Sequence, residues 1–180
     1  MKKTVLSAVT VLLLLALTAC GGGSGKKAKP DLNTEETKVA KTLATSFSAG
    51  SQALTKTEAT CFADEFVKSA GVQKLKDAKL ITAKGELDQS NATWDKPLAT
   101  EFAEAFLGCV SYQEKQAEVI AKTNPKIDQN KLQACLEKQM PESYVTKLIV
   151  AGYTASTDSA KLLQQSQQKL TTCEKQATAK

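Results

Sequence analysis

The chain has no histidine and no arginine; all 24 of its basic residues are lysine. Without imidazole, neither a Ser-His-Asp nor a Cys-His arrangement exists, and no histidine ligates zinc, copper or iron. Without guanidinium, a phosphoryl-transfer site would rest on lysine alone. The bidentate phosphate and base contacts of nucleic-acid binders are missing as well. The lysines are scattered rather than gathered into a stripe, which reads as a solvated face. No nucleic-acid partner is expected. The five cysteines include no Cys-x-x-Cys, so a thioredoxin-type redox motif is absent. No useful stretch alternates with period two, which argues against a sheet. Only one apolar run is long, and it lies at the N-terminus.

That run, Val5 to Leu17, covers 13 residues. Lys2 and Lys3 precede it, and the small residues Thr18 and Ala19 lead to Cys20. A charged start, a short apolar middle and a small-residue end are the parts of a secretory signal peptide, and the run is short for a membrane span. The ending Leu17-Thr18-Ala19-Cys20 resembles the lipobox of bacterial lipoproteins. The resemblance implies cleavage before Cys20, a thioether-linked diacylglycerol on its sulfur and an acyl chain on the new amino terminus. It places the chain at the cell membrane, lipid-anchored and facing outside the cytoplasm. The sequence thus divides into a signal peptide (1–19), a lipidated cysteine with a Gly/Ser/Lys tether (20–33) and an extracytoplasmic domain (34–180). Losing Lys2 and Lys3 leaves 22 lysines against 19 acids, a net of +3. Lys26, Lys27 and Lys29 put part of that charge in the tether, where it favours anionic headgroups or wall polymers. The glycine-serine tether and early lysines look like those of actinobacterial lipoproteins. The mature region resembles uncharacterised helical cysteine-containing domains on such proteins, which bring no activity to carry over.

Helical spacing dominates the rest. Asn33 with Glu36 forms a capping-box pattern, and Val39, Leu43 and Phe47 share one face up to Gly50. A helix from near Thr57 carries Cys61, Phe62, Phe66 and Val67 to a left-handed cap at Gly71. A short helix spans Val72 to Ala78, and a polar loop follows from Thr82 to Thr93. Asp95 and Pro97 open a long helix with Leu98, Phe102, Phe106 and Cys109 on one stripe. Tyr112 to Lys122 forms another helix or a continuation, broken at Asn124-Pro125. Asp128 caps a helix with Leu132, Cys135, Leu136 and Met140. Pro141 starts one with Tyr144, Val145, Leu148 and Ile149 inward, ended by Gly152. Thr157 or Asp158 caps the last helix, with Leu162 or Leu163, Ser166, Leu170 and Cys173 on its stripe. The expectation is an all-α bundle of about six to eight helices.

Cys61 and Cys135 are each followed by a matching phrase: Gly71-Val72-Gln73-Lys74-Leu75 corresponds to Tyr144-Val145-Thr146-Lys147-Leu148, with Ala78 opposite Ala151. Each phrase leads through a loop to a helix whose stripe ends on Cys109 or Cys173. This order reads as two related helical units. With Cys20 assigned to lipid, four cysteines remain in an oxidising compartment, and three pairings are possible. The repeat selects Cys61–Cys109 and Cys135–Cys173, each stapling the first helix of a unit to its last.

Carboxylate chemistry has two candidate sources: Asp64 with Glu65, and Glu101 with Glu104. Both read more simply as the wet faces of helices, so no catalytic residue, metal ligand or cofactor is assigned and the chain is not read as an enzyme. Trp94 precedes the Asp95 cap and serves as a hydrophobic staple, or lines a cleft with Tyr112, Tyr144 or Tyr153. Gln164, Gln165, Gln167 and Gln168 give a neutral surface, and Asn91-Ala92-Thr93 fits a glycosylation sequon that a bacterial lipoprotein does not use. The preferred reading is a non-enzymatic binding or interaction module for an unknown protein or small-molecule ligand, expected to lack a deep polar pocket. The alternative is a carrier or sensor for an apolar small molecule or lipid. It requires a cavity between the units lined by residues such as Phe62, Phe102, Trp94 and Tyr144.

Overall fold

The computed structural model describes residues 30–49, 54–88 and 92–178. The signal peptide, Cys20, the tether lysines, Gly50 and Asn91 lie outside these residues. Among them the fold is all-α, with eight helices: α1 (Thr34–Ser48), α2 (Lys56–Ala70), α3 (Val72–Asp77), α4 (Lys96–Cys109), α5 (Tyr112–Thr123), α6 (Gln129–Gln139), α7 (Glu142–Tyr153) and α8 (Ser159–Ala177). Extended pairing among the described residues is limited to two isolated bridges, Ile81 with Leu87 and Ile127 with Thr178.

Side chains fix the starts of these helices. Asn33 and Glu36 form the expected capping box of α1. A second box sits one residue before α2. The Glu58 amide donates to the Thr55 hydroxyl, while the Thr55 amide donates to the Glu58 carboxylate at 2.8 Å. The start expected near Thr57 is corrected accordingly. Asp95 accepts from the Leu98 amide, Ser111 from Glu114 and Asp128 from Lys131, so α4, α5 and α6 each begin on an oxygen that satisfies an orphan N–H. Ser111 makes α5 a separate helix, not a continuation of α4.

Gly71 ends α2 and begins α3 with φ +76° and ψ 145°. That conformation lies outside the left-handed helical basin expected for it, in a region open to glycine. It turns the chain so that Val72 and Leu75 enter the core. Gly152 does not end α7: the helix runs on to Tyr153, and the residue beyond it with positive φ is Ala155.

The helices form two units in the same order. In the first, α2 packs on α1 and α4; in the second, α6 packs on α5 and α8. Each unit has its own core, one built around Phe62, Phe66, Leu75 and Leu98, the other around Leu132, Leu136, Met140 and Val145. Disulfides join Cys61 to Cys109 and Cys135 to Cys173, with Cα separations of 5.7 and 5.5 Å. Both pairings are those the repeat selects. The bridges enclose separations of 48 and 38 residues. On the chain-entropy account each restricts the unfolded chain by about 4 kcal/mol. Helix α4 packs against α7, and Ile149 touches both cores, so the two units meet there.

Candidate functional site

Rings surround Phe62, which is fully buried on α2. Its centroid lies 4.9 Å from Phe47 and 5.0 Å from Phe102, both edge-on, and 5.8 Å from Phe106. Edge-to-face contacts put positive ring edges on negative faces, an arrangement worth about 0.5–1.5 kcal/mol per pair beyond burial. Beside this cluster is a chamber of about 260 Å³ walled by residues including Leu43, Phe47, Phe66, Trp94, Phe102 and Tyr153. An apolar cavity of roughly 150 Å³ already takes up benzene.

The segment between α3 and α4 supplies one wall. A polar loop is expected from Thr82 to Thr93, but Leu87 and Ala92 within it line the chamber, beside the buried Leu80 and Ile81 that lead into it. The bridge from Ile81 to Leu87 folds the segment back, and the Asp88 amide donates to the Leu80 carbonyl at 2.9 Å. Gly85 permits the turn: its φ is +79°, and a Cβ there would lie 3.3 Å from a Val39 methyl. Alternation too short to register as a strand conceals this wall in the sequence.

Trp94 packs onto α4 and also lines the chamber. Its ring lies 5.3 Å from Phe102, further along that helix, and 4.2 Å from Tyr153 of α7. Tyr153 thereby carries the second unit into the aromatic cluster of the first. The residue stays 41% exposed, yet desolvation beside these rings pushes its phenol above the ordinary value of 10.0.

A wider groove of about 710 Å³ runs along the joint between the units. Phe47, Phe102 and Tyr153 wall both the chamber and the groove. Phe62, Phe106, Tyr112 and Ile149 add apolar surface, and Lys115, Glu118 and Lys122 edge it from α5. Of the four residues expected around an inter-unit cavity, Phe62 and Phe102 line this groove and Trp94 lines the adjoining chamber. Tyr144 is a correction. Its hydroxyl donates to the Leu162 carbonyl at 3.1 Å, and Lys169 lies over its ring at 5.1 Å, so it ties α7 to α8 instead.

The candidate carboxylates do not meet in a cleft. Glu101 accepts from Lys74 Nζ at 2.9 Å, Glu104 is exposed, and Asp64 is buried within α2. The chamber has no carboxylate on its walls, and the groove has one, Glu118. Among the described residues no group of three or more Cys, Asp or Glu side chains is placed to hold a metal ion. None of the helices is long and apolar enough to cross a membrane.

Two polar contacts, one buried and one exposed, escape sequence reasoning. The Gln113 amide donates to the Met140 carbonyl at 2.7 Å, satisfying the C-terminus of α6. Lys169 Nζ donates to the neighbouring Gln139 carbonyl at 2.8 Å. A single glutamine on an amphipathic helix gives no signal of burial.

Comparison with known proteins returns no matching family, no matching curated protein and no matching solved structure.

Proposed function

We propose that the chain is a membrane-anchored extracytoplasmic lipoprotein whose helical domain is a non-enzymatic binding module. The observation that carries the location is the pair of disulfides. Structural disulfides persist outside the reducing cytoplasm, and the lipobox-like ending at Cys20 supplies the matching address. The anchor partners the membrane, and the folded part presents its surface beyond it. Radiolabelled palmitate is expected to label the wild-type chain and not Cys20→Ala. Alkylation of the native chain is expected to find Cys61, Cys109, Cys135 and Cys173 blocked. An unlabelled chain with free thiols in the native state would sink the reading.

A second reading, a carrier or sensor for an apolar small molecule or lipid, is favoured by one feature. The ring-walled chamber and the groove between the units lie side by side and share the walls Phe47, Phe102 and Tyr153. Concave, apolar sites at the junction of two packed units suit small ligands. Native mass spectrometry of the chain isolated from its envelope is expected to show a co-purified apolar mass, and a displaced apolar dye would place its affinity.

A further inference from the structure

The chamber differs from the groove beside it in what its walls lack. Among the described residues no lysine, carboxylate, amide or aliphatic hydroxyl side chain lines it, whereas Lys115, Glu118 and Lys122 line the groove. Its polar side-chain groups are the Trp94 indole and the Tyr153 phenol, both on residues that reach solvent. Phe66, Leu75, Leu80 and Ile81 are buried and make the floor, while half-buried Trp94 and exposed Tyr153 mark the mouth. A ligand seated on that floor is out of water. A charge on it would stay unpaired, at a cost no wall side chain offsets.

Ring geometry narrows the ligand further. Five of the walls are aromatic: Phe47, Phe66, Trp94, Phe102 and Tyr153. Phe66 and Trp94 lie within 10° of parallel, and Phe102 stands at 84° to the first and 88° to the second, 5.3 Å from each. The walls thus present ring planes in two perpendicular settings. A flat aromatic guest aligned with either setting meets at least one ring edge to face, a contact that a saturated guest of the same size does not gain. Volume sets the size. An apolar cavity of roughly 150 Å³ takes up benzene, so about 260 Å³ corresponds to about ten carbons, the content of two fused rings.

We infer that the chamber alone is a binding site for an uncharged aromatic molecule the size of two fused rings. The guest occupies the space between the buried floor and the rings of Trp94 and Tyr153. This assignment rests on the carrier reading above and narrows it to a compact aromatic cargo in place of a lipid. The test titrates the full chain carrying Cys20→Ala, which leaves no acyl chain to compete, with benzene, naphthalene and phenanthrene by calorimetry. Methyl NMR on the same samples locates the ligand, because a bound aromatic ring shifts nearby methyl resonances. Naphthalene is expected to bind about tenfold more tightly than benzene as it fills the space. Phenanthrene is expected to bind about tenfold more weakly than naphthalene, because its third ring overpacks the chamber. The methyls of Leu43, Leu80 and Ile81 are expected to shift, with those of Leu132 and Leu136 in the second core unmoved. Decalin has naphthalene's carbon skeleton without its π-system. It is expected to bind about tenfold more weakly once each affinity is scaled by partition into alkane. Phenyltrimethylammonium, similar in size but charged, is also expected to bind about tenfold more weakly. Ala92→Phe sets a ring into the chamber and is expected to abolish naphthalene binding, while Ala160→Phe, exposed on α8 and off the chamber, leaves it unchanged. If Ala92→Phe does not fold, the methyl shifts of the chain without it decide the site. Shifts confined to Val119 and Ile149 would put the ligand in the groove and overturn the site but not the carrier reading. Unchanged binding in a folded Ala92→Phe does the same. Decalin matching naphthalene overturns the aromatic assignment, and the cation matching it overturns the uncharged one. If no probe binds while the envelope-derived chain still carries an apolar mass, this site fails and the carrier reading stands; with neither, both fail.

Discussion

The two units share an order of helices and a disulfide plan but are filled differently. All five phenylalanines and the one tryptophan lie in the first unit, and all three tyrosines lie in the second. The first unit builds its interior from interlocking rings and leaves a chamber. The second packs aliphatic side chains and a methionine, then ties its helix ends with polar bonds from Gln113, Tyr144 and Lys169. One helical plan therefore supports two kinds of interior: one that encloses space, and one that is closed by specific hydrogen bonds. Tyr153 is the exception that joins them, since its ring leaves the second unit to pack on Trp94 and Phe102.

The sharpest way to break this comparison is to cut the staples one at a time. By loop length the bridges are near equals, each contributing about 4 kcal/mol through the unfolded chain. The units they brace are not equal, because the second has the smaller buried core. Replacing Cys135 and Cys173 together by alanine is expected to release amide-exchange protection throughout α6 and α8, with the first unit still protected. Replacing Cys61 and Cys109 is expected to lower the denaturant midpoint while α2 and α4 keep protection from their ring cluster. Loss of protection in both units from either cut would show that they fold as one.

A core truncation in each unit compares the interiors directly. Phe62→Ala removes the ring that Phe47, Phe66, Phe102 and Phe106 all touch, and is expected to cost about 3–5 kcal/mol. Leu136→Ala, at an equally buried site, is expected to cost about 2–5 kcal/mol. The informative readout is xenon or benzene uptake. Phe62→Ala should open a void behind the chamber walls Phe47, Phe66 and Phe102 and bind more of either probe, whereas Leu136→Ala opens an isolated and smaller void. Equal uptake by both variants would contradict the contrast between the interiors.

The polar ties of the second unit make a smaller and more local prediction. Gln113→Ala leaves the Met140 carbonyl without its buried donor and is expected to cost about 1–3 kcal/mol. Faster exchange should be confined to the last turn of α6. Gln113→Leu should cost about as much, because the carbonyl is left unpaired either way; a much smaller cost would mean water replaces the amide.

How far the residues alone disclose this arrangement depends on periodicity. Cys61, Cys109, Cys135 and Cys173 each sit near an apolar stripe, and the repeated order of helices picks one of three pairings, so the staples can be read in advance. Helix starts can be read where an oxygen-bearing side chain stands three residues before its partner, as at Asn33 and Asp95. Thr55 escapes because Thr57 offers a competing start one turn from Cys61. The wall residue Leu87 escapes because the four or five residues around it carry no period. Tyr144 is misplaced because a helical wheel gives its face but not its neighbour: the same face that points inward meets the Leu162 carbonyl, not the chamber. The direction of a ring across a joint, as with Tyr153, depends on how two units dock, and no local pattern encodes that.

The smallest expected effect concerns the charged edge shared by the units. Glu58 belongs to the capping box of α2 in the first unit and pairs with Lys115 of α5 in the second. Burial pushes its carboxyl up, but bonds from the Thr55 hydroxyl and amide and the nearby Lys115 ammonium outweigh burial, and the net shift is below the ordinary 4.5. A carboxylate depressed on folding stabilises the folded chain above its unfolded pKa. That contribution disappears as pH falls through the lower folded value. Wild-type stability is therefore expected to drop as the medium is acidified from pH 5 through 4.5 and below, and part of that drop should be absent in Glu58→Gln. Lys115→Gln should keep most of the drop, because the Thr55 bonds remain. If Lys115→Gln abolishes it as fully as Glu58→Gln does, the inter-unit pair rather than the cap holds the carboxylate down, and the joint is stiffer electrostatically than either interior suggests.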